Sequence, residues 1–254
     1  MKQDNRSIFV WGGNASILMT VAFIWIGIAL MLDPVEQQRG EAFWQAYVEQ
    51  PWMSLSWRST FVIVGLLTLF VIPAATRLVR SEDGALEGLL HWTTALAYIG
   101  TAAGAIDFLR GIAMSDALIE AYTTGDVVAQ TAVKTSLLAA IDANGVFRWG
   151  GVGLWYVVIG WLGMRNAKFS RTLAFFGIGS GVGYIFAMIF GITETFIPGT
   201  QIPAQAVAAM IAGAFVAPVF HVWLGIVLRK AGNQQSAGLL RSTYPNPQSS
   251  APLQ

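Results

Sequence analysis

Long apolar runs separated by short polar stretches set the rhythm of this chain. A hydrocarbon core of ~30 Å takes ~20 apolar residues as α-helix, and six runs approach that length: residues 8–32, 60–78, 86–109, 146–164, 173–192 and 206–228. Apolar residues are continuous in them rather than alternating with polar ones, which predicts helices and disfavours barrel strands. The pattern therefore predicts an all-α integral membrane six-helix bundle, a single transmembrane domain over residues 1–230. The first run is too long for the apolar part of a signal peptide and no small-x-small cleavage site follows, so it reads as a retained span. From 231 to 254 the chain turns polar and rich in Ser, Gln and Pro, which predicts a disordered cytoplasmic tail.

Cation placement sets the orientation. With the N-terminus inside, the inner segments hold Lys2, Arg6, Arg77, Arg80, Arg165, Lys168, Arg171, Arg229, Lys230 and Arg241, ten of the 15 Lys and Arg residues. The short turn Arg165–Arg171, with three cations and no acid, is the strongest anchor. Both termini are expected to be cytoplasmic, in a plasma membrane. The two outer loops are long. In Glu41–Gln50, Phe43, Trp44, Tyr47 and Val48 share one helical face, predicting a short interfacial helix with its aromatics against lipid. In Val127–Ala143, Val133, Leu137 and Ile141 recur at spacing four, predicting a helix that could run unbroken into the fourth span. These segments make either a small outer cap or simple interfacial connectors.

Composition narrows the function classes. Charged residues are 11% of the chain, against about 25% in soluble domains, too few to cover a water-facing surface. The 27 Gly and 10 Trp suit close helix packing and interfacial anchoring. Without Cys, thiol nucleophiles, thiolate metal sites and disulfides are excluded. A net charge of +1 and no basic run beyond two residues argue against a nucleic-acid partner. The expected partner is the lipid bilayer, joined by another membrane protein or a small solute.

Polar residues inside spans are the candidate chemistry, because a charge in hydrocarbon costs at least ~2.5 kcal/mol. An inner layer comprises Asn14, Glu87, His91, Ser180 and His221. Glu87 and His91, four apart, share a helix face. No cofactor is expected from this set; the alternative is haem or a metal at His91 and His221, with Glu87 supporting them. An outer layer comprises Arg58, Asp107, Arg110, Asp142, Asn144, Arg148 and Glu194. It reads either as interfacial charges paired Asp107–Arg110 and Asn144–Arg148, or as a vestibule binding a small anionic or zwitterionic solute.

The run Gly177-Ile178-Gly179-Ser180-Gly181 resembles the Ser-Gly helix of rhomboid intramembrane proteases, whose base is a His on a later helix; that resemblance implies a Ser180–His221 dyad. It departs at Ile178, where that family has glycine, and the second span lacks the family's His and Asn oxyanion residues. The pairs Gly177/Gly181, Gly179/Gly183, Gly100/Gly104 and Gly213/Ala217 equally fit close packing without chemistry. Phe9–Gly13 echoes Phe147–Gly151, entering from opposite sides as in a three-plus-three inverted repeat, although the other spans do not align at that offset.

From Asp142 to Lys230 the chain resembles a family of uncharacterised bacterial six-span membrane proteins. The resemblance lies in Arg148-Trp149-Gly150-Gly151, the aromatic pair Trp155 and Tyr156, the basic turn, the Gly-rich fifth span and the ending Trp223-Leu224-Gly225 with Arg229-Lys230. It implies six spans in a bacterial plasma membrane and brings no activity. The expectation is a non-enzymatic binding, regulatory or accessory protein; the alternative is a small-solute transporter, and third a membrane enzyme or haem protein.

In intact cells, a cysteine introduced by Ala167→Cys should react only with reagents reaching the cytoplasm, and one introduced by Gln37→Cys only from outside. Labelling of Gln37→Cys from the cytoplasm would overturn the threading.

Overall fold

The computed structural model describes residues 6–167, 169–196 and 204–243. Lys2, Lys168 and residues 244–254 of the expected tail lie outside the described residues, as does the side chain of Glu194. The described chain is all-helical: α1 (Arg6–Leu32), α2 (Glu41–Glu49), α3 (Pro51–Leu78), α4 (Gly84–Ala113), α5 (Ser115–Thr123), α6 (Val127–Leu138), α7 (Val152–Gly163), α8 (Arg171–Phe196), α9 (Ala204–Met210) and α10 (Ala217–Thr243). Two π-helical turns, Val146–Gly151 and Ile211–Val216, lead into α7 and α10. Among the described residues, five helical segments are long and apolar enough to cross a membrane, starting at Arg6, Pro51, Gly84, Arg171 and Val207. The fourth expected span is instead a π turn of 6 residues joined to an α-helix of 12.

Helix ends follow local chemistry. Asp83 caps α4 by accepting from the Ala85 and Leu86 amides, so this helix begins two residues ahead of the apolar run. Pro51 occupies the first turn of α3, where its missing N–H is harmless. That helix starts nine residues before the apolar run because its polar first turns have a partner. The buried Asp33 carboxylate accepts from Ser54 Oγ, from Trp57 Nε1 at 3.0 Å and from the Val35 amide at 3.0 Å. α10 runs on to Thr243, past the apolar run that ends at Leu228. Pro218 offers no amide, and the wide π turn just before it accommodates the interrupted ladder.

The long helices pack in chain order as a ring: α1 on α3, α3 on α4, α4 on the first π turn and α7, α7 on α8, and α8 on the last segment, which closes on α1. α1 runs antiparallel to the last π turn and α10, with Gly27 against Ala214 and Gly13 against Gly225, so the start of α1 and the later part of α10 lie at the end of the bundle opposite α2, α5 and α6. Glycines set the spacing. A Cβ on Gly181 would lie 2.5 Å from Gly153 O, one on Gly160 2.6 Å from Ala174 O, and one on Gly225 2.7 Å from Gly13 O. The two Trp-Gly-Gly stretches differ in setting. Trp11 is 62% exposed on an α-helix, whereas Trp149 sits in a π turn and stacks on Tyr184.

α2, α5 and α6 form a cap with its own small core of Val35, Tyr47, Leu118 and Val133, against which Phe43, Trp44 and Leu137 pack. The aromatic face of α2 is thus turned into protein rather than lipid, because α5 and α6 offer it an apolar surface. Lys134 Nζ pairs with Glu41 at 2.8 Å, and the Tyr122 hydroxyl donates to the same carboxylate. The Lys134 hydrogen bond holds the Glu41 carboxyl below its ordinary range. α6 does not continue into the fourth span. It ends at Leu138, and Gly145 turns the chain at φ 69°, a conformation that suits glycine. Trp11 and Trp92 at one end and Trp52 at the other are 62%, 57% and 62% exposed, as belts at two lipid–water boundaries would be.

Gly181→Ala should lower stability by about 1–3 kcal/mol, since its methyl meets backbone that cannot step aside. Gly179→Ala, whose Cβ would approach Val216 at 3.7 Å, should be neutral. Thermal unfolding in detergent reads both; equal midpoints would mean that α7 and α8 do not meet there.

Candidate functional site: a cavity inside the helix ring

The ring encloses a cavity of about 80 Å³ to which every long helix contributes, with Phe23 from α1, Phe61 from α3, Phe108 from α4, Trp155 and Tyr156 from α7, Tyr184 from α8 and His221 from α10. A second chamber of about 200 Å³ shares Phe23, Phe61, Phe108, Arg148, Trp149 and Tyr184 and extends to Met210 and Gly213. The first π turn carries Arg148 and Trp149 into both. Its wide pitch, with the Trp149 and Gly150 amides both donating to Gly145 O at 2.9 and 3.2 Å, lets it press against Gly100 and Gly104 of α4. Asp142 fixes its start by accepting from the Phe147 and Arg148 amides at 3.2 and 2.7 Å.

Arg148 is the only cation of the outer layer that lines these chambers. Its guanidinium lies 5.4 Å from the Phe108 ring centroid and 5.0 Å from that of Trp149. Its Nε is shut off from solvent and has no hydrogen-bond partner, and Arg148 enters none of the ion pairs among the described residues. Asn144 lies in the turn that closes when Gly145 N donates to Asp142 O at 2.9 Å, just ahead of the π turn.

At the opposite wall His221 is buried in a hydrogen-bond chain. Ser16 Oγ donates to His221 O at 2.8 Å, so its lone pair must accept from Nδ1–H of the same residue at 3.1 Å. With the proton on Nδ1, Nε2 accepts from the Tyr156 hydroxyl. Both ring nitrogens are therefore engaged, and Ser180, fully buried, has no hydrogen-bond partner for its Oγ among the described residues. The expected Ser180–His221 dyad is not formed; Ser16 and Tyr156 hold the histidine instead. Asn14, half-buried, lies two residues from Ser16 on α1.

The inner layer as a whole does not converge. His91 is on the outside of α4, its side chain 63% exposed, 3.4 Å from Glu87, which also takes Arg80 Nε at 2.7 Å. His91 and His221 thus line different parts of the molecule and do not make one ligand pair. No group of three His, Cys, Asp or Glu residues placed to hold a metal occurs among the described residues.

The remaining outer residues gather beneath the cap. Arg58, Asp107 and Arg110, with Arg39, line a vestibule of about 410 Å³. Asp107 and Arg110 do not pair with one another. Asp107 accepts from the Ile141 and Asp142 amides at 3.0 and 3.4 Å. Arg110 donates to the carbonyls of Ala139, Ser136 and Leu137 at 2.7, 2.8 and 3.1 Å, the open C-terminal carbonyls of α6. Both therefore pin the segment after α6 to α4. Arg58 lies over the rings of Tyr47 and Trp57 at 5.2 and 5.0 Å. Burial pushes the nearby Glu36 carboxyl above its usual range, with Arg58 pulling the other way.

Ser16, Asp33 and Tyr184 were not among the polar candidates of the sequence, and Tyr156 stood there only as one of an aromatic pair. The hydroxyls were camouflaged as ordinary span residues. Asp33 had a readable signal, an acid placed directly after a long apolar run.

These features define a multi-pass membrane protein with a polar-tipped, aromatic-walled cavity. No family model matches the chain, and no solved structure matches it. Among curated proteins, it is 25% identical over 178 residues to the sulfate transport system permease protein CysT of Synechocystis sp., a match covering 66% of this chain and 58% of that permease.

Arg110→Gln should lower the thermal midpoint and speed proteolytic cleavage within 136–145, with a cost of about 1–3 kcal/mol for hydrogen bonds made by a charged group. Asp107→Asn should act on the same segment, and the double variant should lose less than the two losses added together. Full additivity would show that the two residues do not act through one loop.

Proposed function

We propose that the protein is a plasma-membrane, six-span, solute-binding protein with both termini cytoplasmic, whose central cavity takes a small, largely apolar or aromatic molecule bearing one anionic group. Arg148 carries the reading. A half-buried guanidinium placed among rings, with its Nε shut off from solvent, is costly unless a counter-charge meets it directly. The neighbouring carboxylates, Asp107 and Asp142, are already engaged by backbone amides. A solute carboxylate or sulfonate supplies the missing partner through the bidentate geometry that arginine favours, while Phe23, Phe61, Phe108 and Trp149 pack against its body. Tyr184, which lines both chambers, carries a hydroxyl for a further polar contact. The vestibule with Arg39, Arg58 and Arg110 would gather anions from the cap side.

Six crossings are supported by the ring itself, in which the π turn and α7 fill the place of a span between α4 and α8. Their 6 and 12 residues reach about 27 Å at ~1.5 Å per residue, close to a ~30 Å core. A binding role is favoured over transport by the end that carries α1's start, where Ala75, Leu78, Leu90, Leu224 and Leu228 are buried and close the bundle. Transport of a small anion is the second reading. It is favoured by the likeness to a permease whose name assigns it to sulfate transport, and it requires that leucine layer to open.

Purified protein titrated with benzoate, indole-3-carboxylate and sulfate should show a rise in thermal midpoint with an aromatic carboxylate. Arg148→Gln should abolish that rise while changing ligand-free stability by less than about 1 kcal/mol, since no ion pair among the described residues is broken. A loss of about 3 kcal/mol or more without ligand, the cost of breaking a buried pair, would make Arg148 structural and defeat the binding site. Uptake of the same anion into proteoliposomes would move the second reading to first.

A further inference from the structure

Arg148 lines both chambers, but Tyr156 and His221 line only the one of about 80 Å³. Tyr156 follows Arg148 by eight residues along the π turn and α7, a rise of about 12 Å. The wall that Tyr156 and His221 share therefore lies farther from the cap than the guanidinium does. There the polar hydrogens are already committed. His221 carries its proton on Nδ1, which donates to Ser16 Oγ at 3.1 Å while Ser16 donates to His221 O at 2.8 Å, and Nε2 accepts from the Tyr156 hydroxyl. Phe23 stacks on the imidazole at 5.6 Å and Phe220 meets it edge-on at 5.4 Å, so the ring is held against exchanging its nitrogens. A tyrosine hydroxyl has one hydrogen, and that of Tyr156 is spent on Nε2; its lone pairs can only accept. Thr68 of the same chamber has likewise spent its hydrogen, on Gly65 O at 2.6 Å. The hydroxyls of Thr101 and Tyr184 enter no such chain among the described residues and can turn to either kind of partner, so discrimination falls to Tyr156.

We infer that the Ser16–His221–Tyr156 chain makes the cavity selective for an aromatic anion that carries a hydrogen-bond donor, O–H or N–H, on the side of its ring away from the anionic group. This rests on the reading of the cavity as a site for such an anion and adds the second polar group. A ligand hydroxyl donates to Tyr156 Oη, whereas an ether oxygen in the same place meets lone pairs and loses its water without replacement. Ser16 is not part of the chamber wall; it is a positioning residue that acts by fixing the tautomer of His221. Without Ser16 the Nδ1–H would be buried with no acceptor, which favours moving the proton to Nε2. Nε2–H then donates to Tyr156 Oη, and the tyrosine's own hydrogen turns into the cavity.

The test uses the full chain purified in detergent, titrated with benzoate, 3- and 4-hydroxybenzoate and the matching 3- and 4-methoxybenzoates, with affinity read by isothermal calorimetry. One hydroxybenzoate should bind about fivefold more tightly than benzoate, the worth of one neutral hydrogen bond, and its methoxy counterpart no more tightly than benzoate. Tyr156→Phe should erase that advantage and leave benzoate affinity unchanged. Ser16→Ala should close the gap between the hydroxy and methoxy compounds, because the Tyr156 hydrogen then meets either oxygen; looser packing alone would weaken both and keep their ratio. Benzoate binding with no preference for a hydroxybenzoate over its methoxy counterpart would overturn the donor selectivity while leaving the anion site standing. An unchanged hydroxy-to-methoxy ratio in Ser16→Ala would overturn the tautomer as its cause. Failure of the wild-type chain to bind any of the five acids would defeat the reading of the cavity itself, and this inference with it. If Tyr156→Phe does not fold, the wild-type series and Ser16→Ala decide the matter between them.

Discussion

In hydrocarbon two helices gain little by covering leucine with leucine, because lipid tails are equally apolar, so their association rests on how near the backbones can come. In this bundle the near approaches are at glycine: Gly13 with Gly225 between α1 and α10, Gly153 with Gly181 between α7 and α8, and Gly100 against the π turn beside α4. Each contact sets backbone against backbone, which gives dense van der Waals packing and fixes register. The bulky residues displaced from these seams go outward to lipid, as Phe175, Phe186 and Leu66 do, or inward to wall the cavity. The aromatic lining of the cavity is therefore the counterpart of the glycine seams.

Close packing also forces polar groups to find partners within reach. His221 shows this most fully. Its two nitrogens and its carbonyl are satisfied by Ser16 and Tyr156, which tie α10 to α1 and α7 across the ring. Asp33 does the same where α1 ends, gathering Ser54 and Trp57 of α3. Arg148 is held differently. It sits on a π turn, an element held open at an energetic disadvantage and often found at functional positions, and it faces aromatic rings rather than a carboxylate. Among the guanidiniums whose Nε is buried without a partner, Arg148 is the one that lines the central chambers, and that is where a ligand's anionic group would meet it.

The cap has a different physical basis from the bundle. It stands on a small apolar core of its own and is joined to the spans by charged side chains gripping backbone: Arg110 on the end of α6, Asp107 on the strand of chain that follows, Asp142 on the start of the π turn. These bonds run from the cap to the residue that faces the cavity. A change in cap position would therefore be felt at Arg148, which links the vestibule to the chambers without any side chain common to the two.

Apolar runs located five membrane-length helices and the short basic and acidic connections between them, because a crossing segment must be apolar along its whole length whatever its neighbours. The pairs Gly100/Gly104 and Gly177/Gly181 were legible for the same reason, since close packing selects residue size directly, whereas Gly179 of the pair Gly179/Gly183 meets no neighbour closely. Which polar residues meet was not legible. Asp107 and Arg110, three apart, looked like a pair, yet both turn to the backbone of a loop about thirty positions away; Ser180 and His221 looked like a dyad, yet the histidine bonds Ser16 and Tyr156, 205 and 65 positions off. The π turn that places Arg148 inside, the cap core that takes the aromatic face of α2, and the cavity itself were likewise decided by tertiary structure. The physical reason is that burial in lipid acts on each residue according to its own polarity, whereas a hydrogen bond or a cavity depends on the rotation and register of several helices at once, and those are set only where glycine lets them touch.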